Sequence, residues 1–473
     1  MLNKFRQSYS PEFPKISPES VMEKGGTSCV KDGEEIKKLF PKTFGRPICH
    51  FKRGEGQIEE VLRVGVVFSG GPAAGGHNVI AGLFDALKKS KLYGFLDGPQ
   101  GIIDNKYKEL TQEMIFPYRN QGGFDLIGSG RIKIETEEQL AAALRTALTL
   151  NLDGLVIIGG DDSNTNAAVL AEYFLQKNCK TKVIGVPKTI DGDLRNDYVT
   201  IPFGFDTACK VYSEMIGNLA RDALSAKKYW HFVKLMGRSA SHIALECAIA
   251  TQIDWAFIGE EGQSLEQITN TLVDLISKKP YGVILIPEGL IEFIPHLDTK
   301  QLPEEIQKQL ATEKDPHGNI PVSAIETEKL LIHMVKQKGV KMSPVPHFFG
   351  YEGRCSFPSN FDANYCYTLG MTAAFLIKSN LTGYMAFVKN LTKPPSVWEI
   401  GGIPITMLLN LEERKGKMKP VIQKALVDLK APHYLHYKKM RANWAHGNDY
   451  LFPGPIQFFG PKELTDSVPL TLF

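Results

Sequence analysis

Residues 154–193 read GLVIIGGDDSNTNAAVLAEYFLQKNCKTKVIGVPKTIDGD. Residues 154–158 form a continuous apolar run, the pattern of a strand buried on both faces. It ends in a glycine pair, and an amphipathic stretch to about residue 176 follows. A second short apolar run, residues 182–186, ends in PKTIDGD. Strand, polar turn, helix, strand is the rhythm of a parallel sheet covered by helices. In such sheets ligands bind beyond the carboxyl ends of the strands. Both strand ends here carry acidic residues.

The rhythm extends in both directions. Residues 63–68 (RVGVVF) run into SGGPAAGGHN, residues 69–78, and a helical stretch to about residue 89. Residues 232–235 (FVKL) run into MGRSASH, residues 236–242, and a helix to about residue 250. Residues 281–286 (YGVILI) run into PEG, residues 287–289. Residues 291–325, rich in Pro, Gln, Glu and Lys, break the pattern and read as a helical insertion or lid-like hairpin. Helical periodicity resumes over 326–338 and 360–380. This divides the chain into an N-terminal arm (1–60), a large α/β lobe (61–225), a second α/β lobe carrying the insertion (226–400), and a C-terminal segment packing back on the lobes (401–473).

The chain has 473 residues and a net charge of +3, too little for a general electrostatic claim on nucleic acid or an anionic membrane. Its 43% hydrophobic and 23% charged residues suit a globular core. The seven cysteines include no CxxC pair, so neither a zinc ribbon nor a redox motif is indicated. The N-terminus lacks the apolar core of a secretory signal, and no apolar run is long enough to span a bilayer. The expectation is a cytoplasmic protein with reduced thiols and no membrane or nucleic-acid partner.

Several motifs bear chemistry. The paired glycines of SGGPAAGGHN let the backbone pass close to an anion at a helix N-terminus. The motif is neither a P-loop nor the dinucleotide fingerprint, and a plain tight turn is an equal reading. GGDDSN places Asp161 and Asp162 after a buried strand, and Asp161 suits Mg²⁺, which takes one or two carboxylates and phosphate oxygens. One of Asp162, Ser163 or Asn164 is expected to cap the next helix, but a cap needs only one residue. PKTIDGD offers Lys188 for a phosphate, with Asp191 and Asp193 beside it, and an Asp there can accept a proton from an attacking hydroxyl. An Asp-Gly turn with a solvated Lys is the structural alternative. MGRSASH contributes Arg238, PEG contributes Glu288 and YEGR, residues 351–354, contributes Arg354; Lys228 and Tyr229 lie just upstream of the first of these. Singly, each reads as structural. Together they are an inventory for moving a phosphoryl group between two anionic partners with Mg²⁺. No HExxH or GxSxG competes with it.

In order and spacing, these motifs resemble those of phosphofructokinases over roughly residues 61–400. The tail PGPIQFFG is similar to the long pyrophosphate-dependent branch, including the catalytic beta subunit of the plant enzyme. The resemblance implies the phosphofructokinase fold, two Rossmann-like lobes with the active site in the interlobe cleft. It implies a transferase moving phosphoryl from diphosphate to the 1-hydroxyl of fructose 6-phosphate, reversibly, in glycolysis and gluconeogenesis. ATP-using relatives carry GGDGS where this chain has GGDDS, and Gly in place of Lys188. Asp162 puts bulk and negative charge where the α-phosphate of ATP would lie, and Lys188 suits the compact diphosphate.

By the same resemblance, Asp191 accepts the proton of the 1-hydroxyl, with Thr189 and Ile190 lining its loop. Asp161 binds Mg²⁺ with Asp193 in support. Gly71 contacts diphosphate through its backbone, and Arg131 of GSGR reaches the transferring phosphoryl. Met236, Gly237, Arg238, Glu288, Tyr351, Glu352, Gly353 and Arg354 hold the sugar phosphate. Lys228 and Tyr229 enter the neighbouring subunit's site, which implies a homodimer or larger homo-oligomer. The turn GGPAAGG departs from the family's more usual Gln-Ala-Pro or Asp-Ala-Pro after the glycines. The alternatives are an ATP-dependent phosphofructokinase and a non-catalytic regulatory subunit of the same fold. The regulatory subunit lacks the acidic pair and the TIDGD Asp, both present here.

Overall fold

The computed structural model describes residues 2–297, 300, 302–311, 324–414 and 416–473. Its strands are β1 (Ile16–Met22), β2 (Cys49–Arg53), β3 (Arg63–Phe68), β4 (Lys91–Phe95), β5 (Tyr107–Glu109), β6 (Gly154–Gly159), β7 (Lys182–Pro187) and β8 (Tyr229–Leu235). They continue with β9 (Trp255–Ala256), β10 (Gly282–Pro287), β11 (Ser343–Phe349), β12 (Tyr384–Lys389), β13 (Glu399–Pro404), β14 (Leu409–Arg414) and β15 (Lys417–Ile422). A large sheet has the order β1-β2-β13-β12-β7-β6-β3-β4-β5, a second sheet the order β11-β8-β10-β9, and β14-β15 form a hairpin. The centre of the large sheet, from β4 to β12, is parallel, and the added outer strands are antiparallel. The second sheet is parallel throughout. Every residue of β6 and β10 is buried, as continuous Val/Ile/Leu runs require when helices cover both faces.

Register brings the motifs together. Phe68 pairs with Ile158, and Ile158 with Val186, so β3, β6 and β7 end level. The loops beginning at Ser69, Gly160 and Lys188 therefore emerge side by side. In the second sheet Leu235 pairs with both Pro287 and Phe349, which aligns Met236, Glu288 and Gly350 in the same way.

The chain's path differs from the sequence division at two places. Within the expected arm, β1 and β2 extend the large sheet. After β11 the helix Asn360–Lys378 returns to the first layer, and β12 and β13 join the large sheet instead of the second lobe. The return works because Gly370 and Gly82, on the helix Gly76–Ala86, present no side chain. A Cβ at either would strike the backbone of the opposing helix. Of the expected insertion, the described part holds the short helices Leu290–Phe293 and Glu304–Leu310. Residues 298, 299, 301 and 312–323 lie outside the described residues.

Candidate active site

The C-terminal edges of the two sheets face one cleft of about 220 Å³. From the large sheet it is lined by Gly71, Arg131, Asp161, Asp162, Lys188, Thr189, Ile190, Asp191 and Asp193. From the second sheet come Met236, Arg238, Glu288, Tyr351 and Arg354. Gly237, Glu352 and Gly353 shape its loops from outside the lining. Gly237 adopts φ 125°, and Glu352 accepts the Gly350 N–H at 2.8 Å. Gly353 packs where a Cβ would come within 2.5 Å of the Tyr212 hydroxyl. Lys228 and Tyr229 are not in this cleft. They sit at the start of β8, the far end of a strand about 20 Å long from Met236.

Local structure explains why these side chains point inward. The helix Asp161–Gln176 is capped by Gly160, with no side-chain cap, so the expected polar cap at 162–164 does not form. The helix starts early enough that both aspartates occupy its first turn, where the helix dipole favours negative charge. Asn164 instead donates to the carbonyls of Gly159 (2.7 Å) and Gly160 (2.9 Å), strapping the strand end. Ser163 donates to Ser69 at 2.8 Å and so ties two of the site loops together. Gly71 is small for a reason. A Cβ there would lie 3.3 Å from the Arg354 guanidinium carbon, so its absence lets that guanidinium close over the turn. Arg354 also stacks on Tyr351, 4.6 Å from the ring centre.

Six cationic side chains face five carboxyl groups around the cleft. Lys188 is buried, and burial with the Arg354 charge pushes it down to about 8, Arg131 adding to this while Asp191 and Asp161 pull the other way. Asp193 is pushed up to about 7 by burial and by the carboxylates of Asp191 and Asp161. Glu288 also rises to about 7, mainly by burial and then by Asp191. Its Oε2 is buried without a hydrogen-bond partner.

The structure adds residues that the motifs did not point to. Lys133 Nζ lies 2.7 Å and Arg414 Nη1 3.0 Å from Asp162 Oδ1. The Asp162 charge is thus compensated, which removes much of the like-charge repulsion expected of it. Lys424 Nζ is 3.9 Å from Asp161. Asn166 pins the backbone of Ile134 through two hydrogen bonds, of 3.1 and 2.7 Å. Tyr212 donates to the Gly350 carbonyl and anchors the Tyr351–Arg354 turn. The one sequence signal for these is Asn166, four residues after Asp162 and so on the same helical face. Lys424 and Arg414 are remote in sequence and reach the site only through the fold.

Against known proteins, the family model described as Phosphofructokinase matches residues 63–377. The chain belongs to the phosphofructokinase family. Among relatives within that family, it is 46% identical to pyrophosphate--fructose 6-phosphate 1-phosphotransferase of Entamoeba histolytica, over 100% of this chain and 98% of that protein. It is 49% identical to the beta subunit of the same-named enzyme of Solanum tuberosum, over 94% of this chain and 88% of that one. In fold it resembles the crystal structure of a pyrophosphate-dependent phosphofructokinase from Nitrosospira multiformis, with a TM-score of 0.63 at 17% identity over 82% of this chain and 93% of that one.

Proposed function

We propose that this phosphofructokinase transfers a phosphoryl group from diphosphate to the 1-hydroxyl of fructose 6-phosphate, in either direction. The observation that carries the reading is the meeting in one cleft of Lys188, Asp191 and Asp161 from one sheet with Arg238, Glu288 and Arg354 from the other. One set matches a compact polyanion and the other a sugar phosphate.

Asp191 takes the proton of the 1-hydroxyl as its oxygen attacks the terminal phosphorus. The bond to the bridging oxygen breaks, and its electron pair leaves with the departing phosphate. Lys188 and Arg131 hold the charge that shifts along the diphosphate, and the Gly71 backbone lies against it. Met236, Arg238, Glu288, Tyr351 and Arg354 fix the sugar phosphate so that the hydroxyl meets phosphorus in line.

The donor set for Mg²⁺ is all oxygen: Asp161, with Asp193 supporting and the Asp191 carboxylate near enough to raise Asp193. Among the described residues no group of three or more His, Cys, Asp or Glu forms a complete metal cage. Mg²⁺ takes one or two carboxylates and fills its other positions with phosphate oxygens and water. Bound there, Mg²⁺ would neutralise diphosphate charge. No helix among the described residues is long and apolar enough to cross a membrane. The enzyme works in the cytoplasm, where its substrates are, and Lys228 and Tyr229 complete the site of a second copy.

The test is donor choice. Purified protein with Mg²⁺ and fructose 6-phosphate is expected to form fructose 1,6-bisphosphate with diphosphate and not with ATP. Turnover with ATP alone would overturn the donor assignment, and silence with both would favour the regulatory-subunit reading.

A further inference from the structure

Beside the cleft lies a second cavity of about 250 Å³, floored by Val169, Pro420 and Val421. The two cavities share three lining residues: Lys133, Asp162 and Asn166. Asp162 stands on this partition, and its Oδ1 is held from two directions. Lys133, on the segment after Arg131, approaches to 2.7 Å, and Arg414, at the end of β14, to 3.0 Å. The bonds continue outward: Arg414 reaches Glu412 at 3.4 Å, and Lys419 of β15 reaches Glu135 at 2.9 Å. The hairpin is further tied to the same helix by Ile422 N–H donating to Thr165 at 3.2 Å. The three charges at the partition are mostly shielded, with side-chain exposures of 25% for Lys133, 19% for Asp162 and 17% for Arg414.

We propose that Lys133 and Arg414 are positioning residues for donor choice, clamping Asp162 across the end of the donor chamber while cancelling its charge. The inference rests on the diphosphate reading above. Diphosphate is itself a polyanion, so a bare carboxylate at 162 would repel the proper donor as it repels a longer one. Lys133 and Arg414 offset that carboxylate, and Lys419 with Glu135 and Glu412 balances the charge behind them, so the partition carries no uncompensated negative charge. What remains of Asp162 is a side chain fixed in place by bonds from two other segments. A donor that stops at the partition meets a carboxylate whose charge is offset, and one that extends further meets an occupied position.

The test is steady-state kinetics of the full-length protein, with melting temperature as the folding control. Arg414→Gln leaves Asp162 under-compensated, and KM for diphosphate is expected to rise about tenfold. The kcat and the KM for fructose 6-phosphate stay within about twofold, a split that general loosening of the fold would not produce. Lys133→Gln, an independent route should the first variant fold poorly, gives the same split. Adding Asp162→Asn to Arg414→Gln removes the stranded charge and restores most of the lost diphosphate affinity. The proposal is overturned if both single variants keep the wild-type KM for diphosphate, or if the double variant is as impaired as Arg414→Gln alone. Absence of diphosphate turnover in the wild type would instead strike the functional reading on which it rests.

Discussion

Asp191 and Lys188 lie three residues apart on one loop, yet different physics governs them. If Asp191 is the proton acceptor, Asp191→Asn lowers kcat by about 10²–10⁴, the usual worth of a positioned base, and leaves fructose 6-phosphate binding in place. Single-turnover rates with an equilibrium binding measurement check this, and a variant turning over at the wild-type rate would remove Asp191 from the mechanism. Lys188 is held down at about 8, first by burial and then by Arg354. The ammonium is charged below that pH and neutral above it. KM for diphosphate is therefore expected to climb as pH passes about 8, and Lys188→Arg, which stays charged, should move the rise to higher pH. A pH profile of KM that is the same in both proteins would dismiss Lys188 as the donor's cation. The motif residues at both positions could be read directly from PKTIDGD. Lys424, which lines the same cleft, could not, since it lies more than two hundred residues further along the chain.

At the scale of elements, two contacts position the site: the level ends of the parallel strands and the close crossing of two helices. The crossing of Gly76–Ala86 with Asn360–Lys378 depends on glycines facing backbone. In an isolated helix Gly82→Ala would be worth about 1 kcal/mol of propensity. Here the added methyl meets the carbonyl of Tyr367, and overpacking costs of about 1–3 kcal/mol or more outweigh that gain. The variant is expected to melt several degrees lower, and an unchanged or raised melting temperature would show the helices free to part. The sequence showed both helices by periodicity, but not their contact, because a helical glycine reads the same whether it faces water or another backbone. The same limit hid β12 and β13. Their place in the large sheet depends on a helix that carries the chain back.

Across the whole molecule, the cleft joins two sheets, and Lys228 and Tyr229 stand outside it. If they serve a second copy, each site of a symmetric dimer takes Asp191 from one chain and Lys228 from the other. Mixing and reassembling inactive Asp191→Asn and Lys228→Ala chains would then rebuild one intact site per mixed dimer. Activity should recover to about a quarter of wild type, from half the dimers being mixed and half their sites intact. No recovery from chains shown to co-assemble would place Lys228 outside any active site.

The sequence alone determined the alternation of buried strands and helices, the glycine and acidic loops at the strand ends, and the families of chemistry those loops serve. These are local properties: periodicity, turn chemistry and residue type within a few positions. Only the tertiary structure decided which loops share a cleft, since that follows from strand register, with Phe68, Ile158 and Val186 side by side. It alone brought Lys133 and Arg414 onto Asp162 and shifted Lys188, Asp193 and Glu288 from their ordinary proton affinities. Charge compensation and burial depend on what stands within a few ångströms, and distance through the fold bears no relation to distance along the chain.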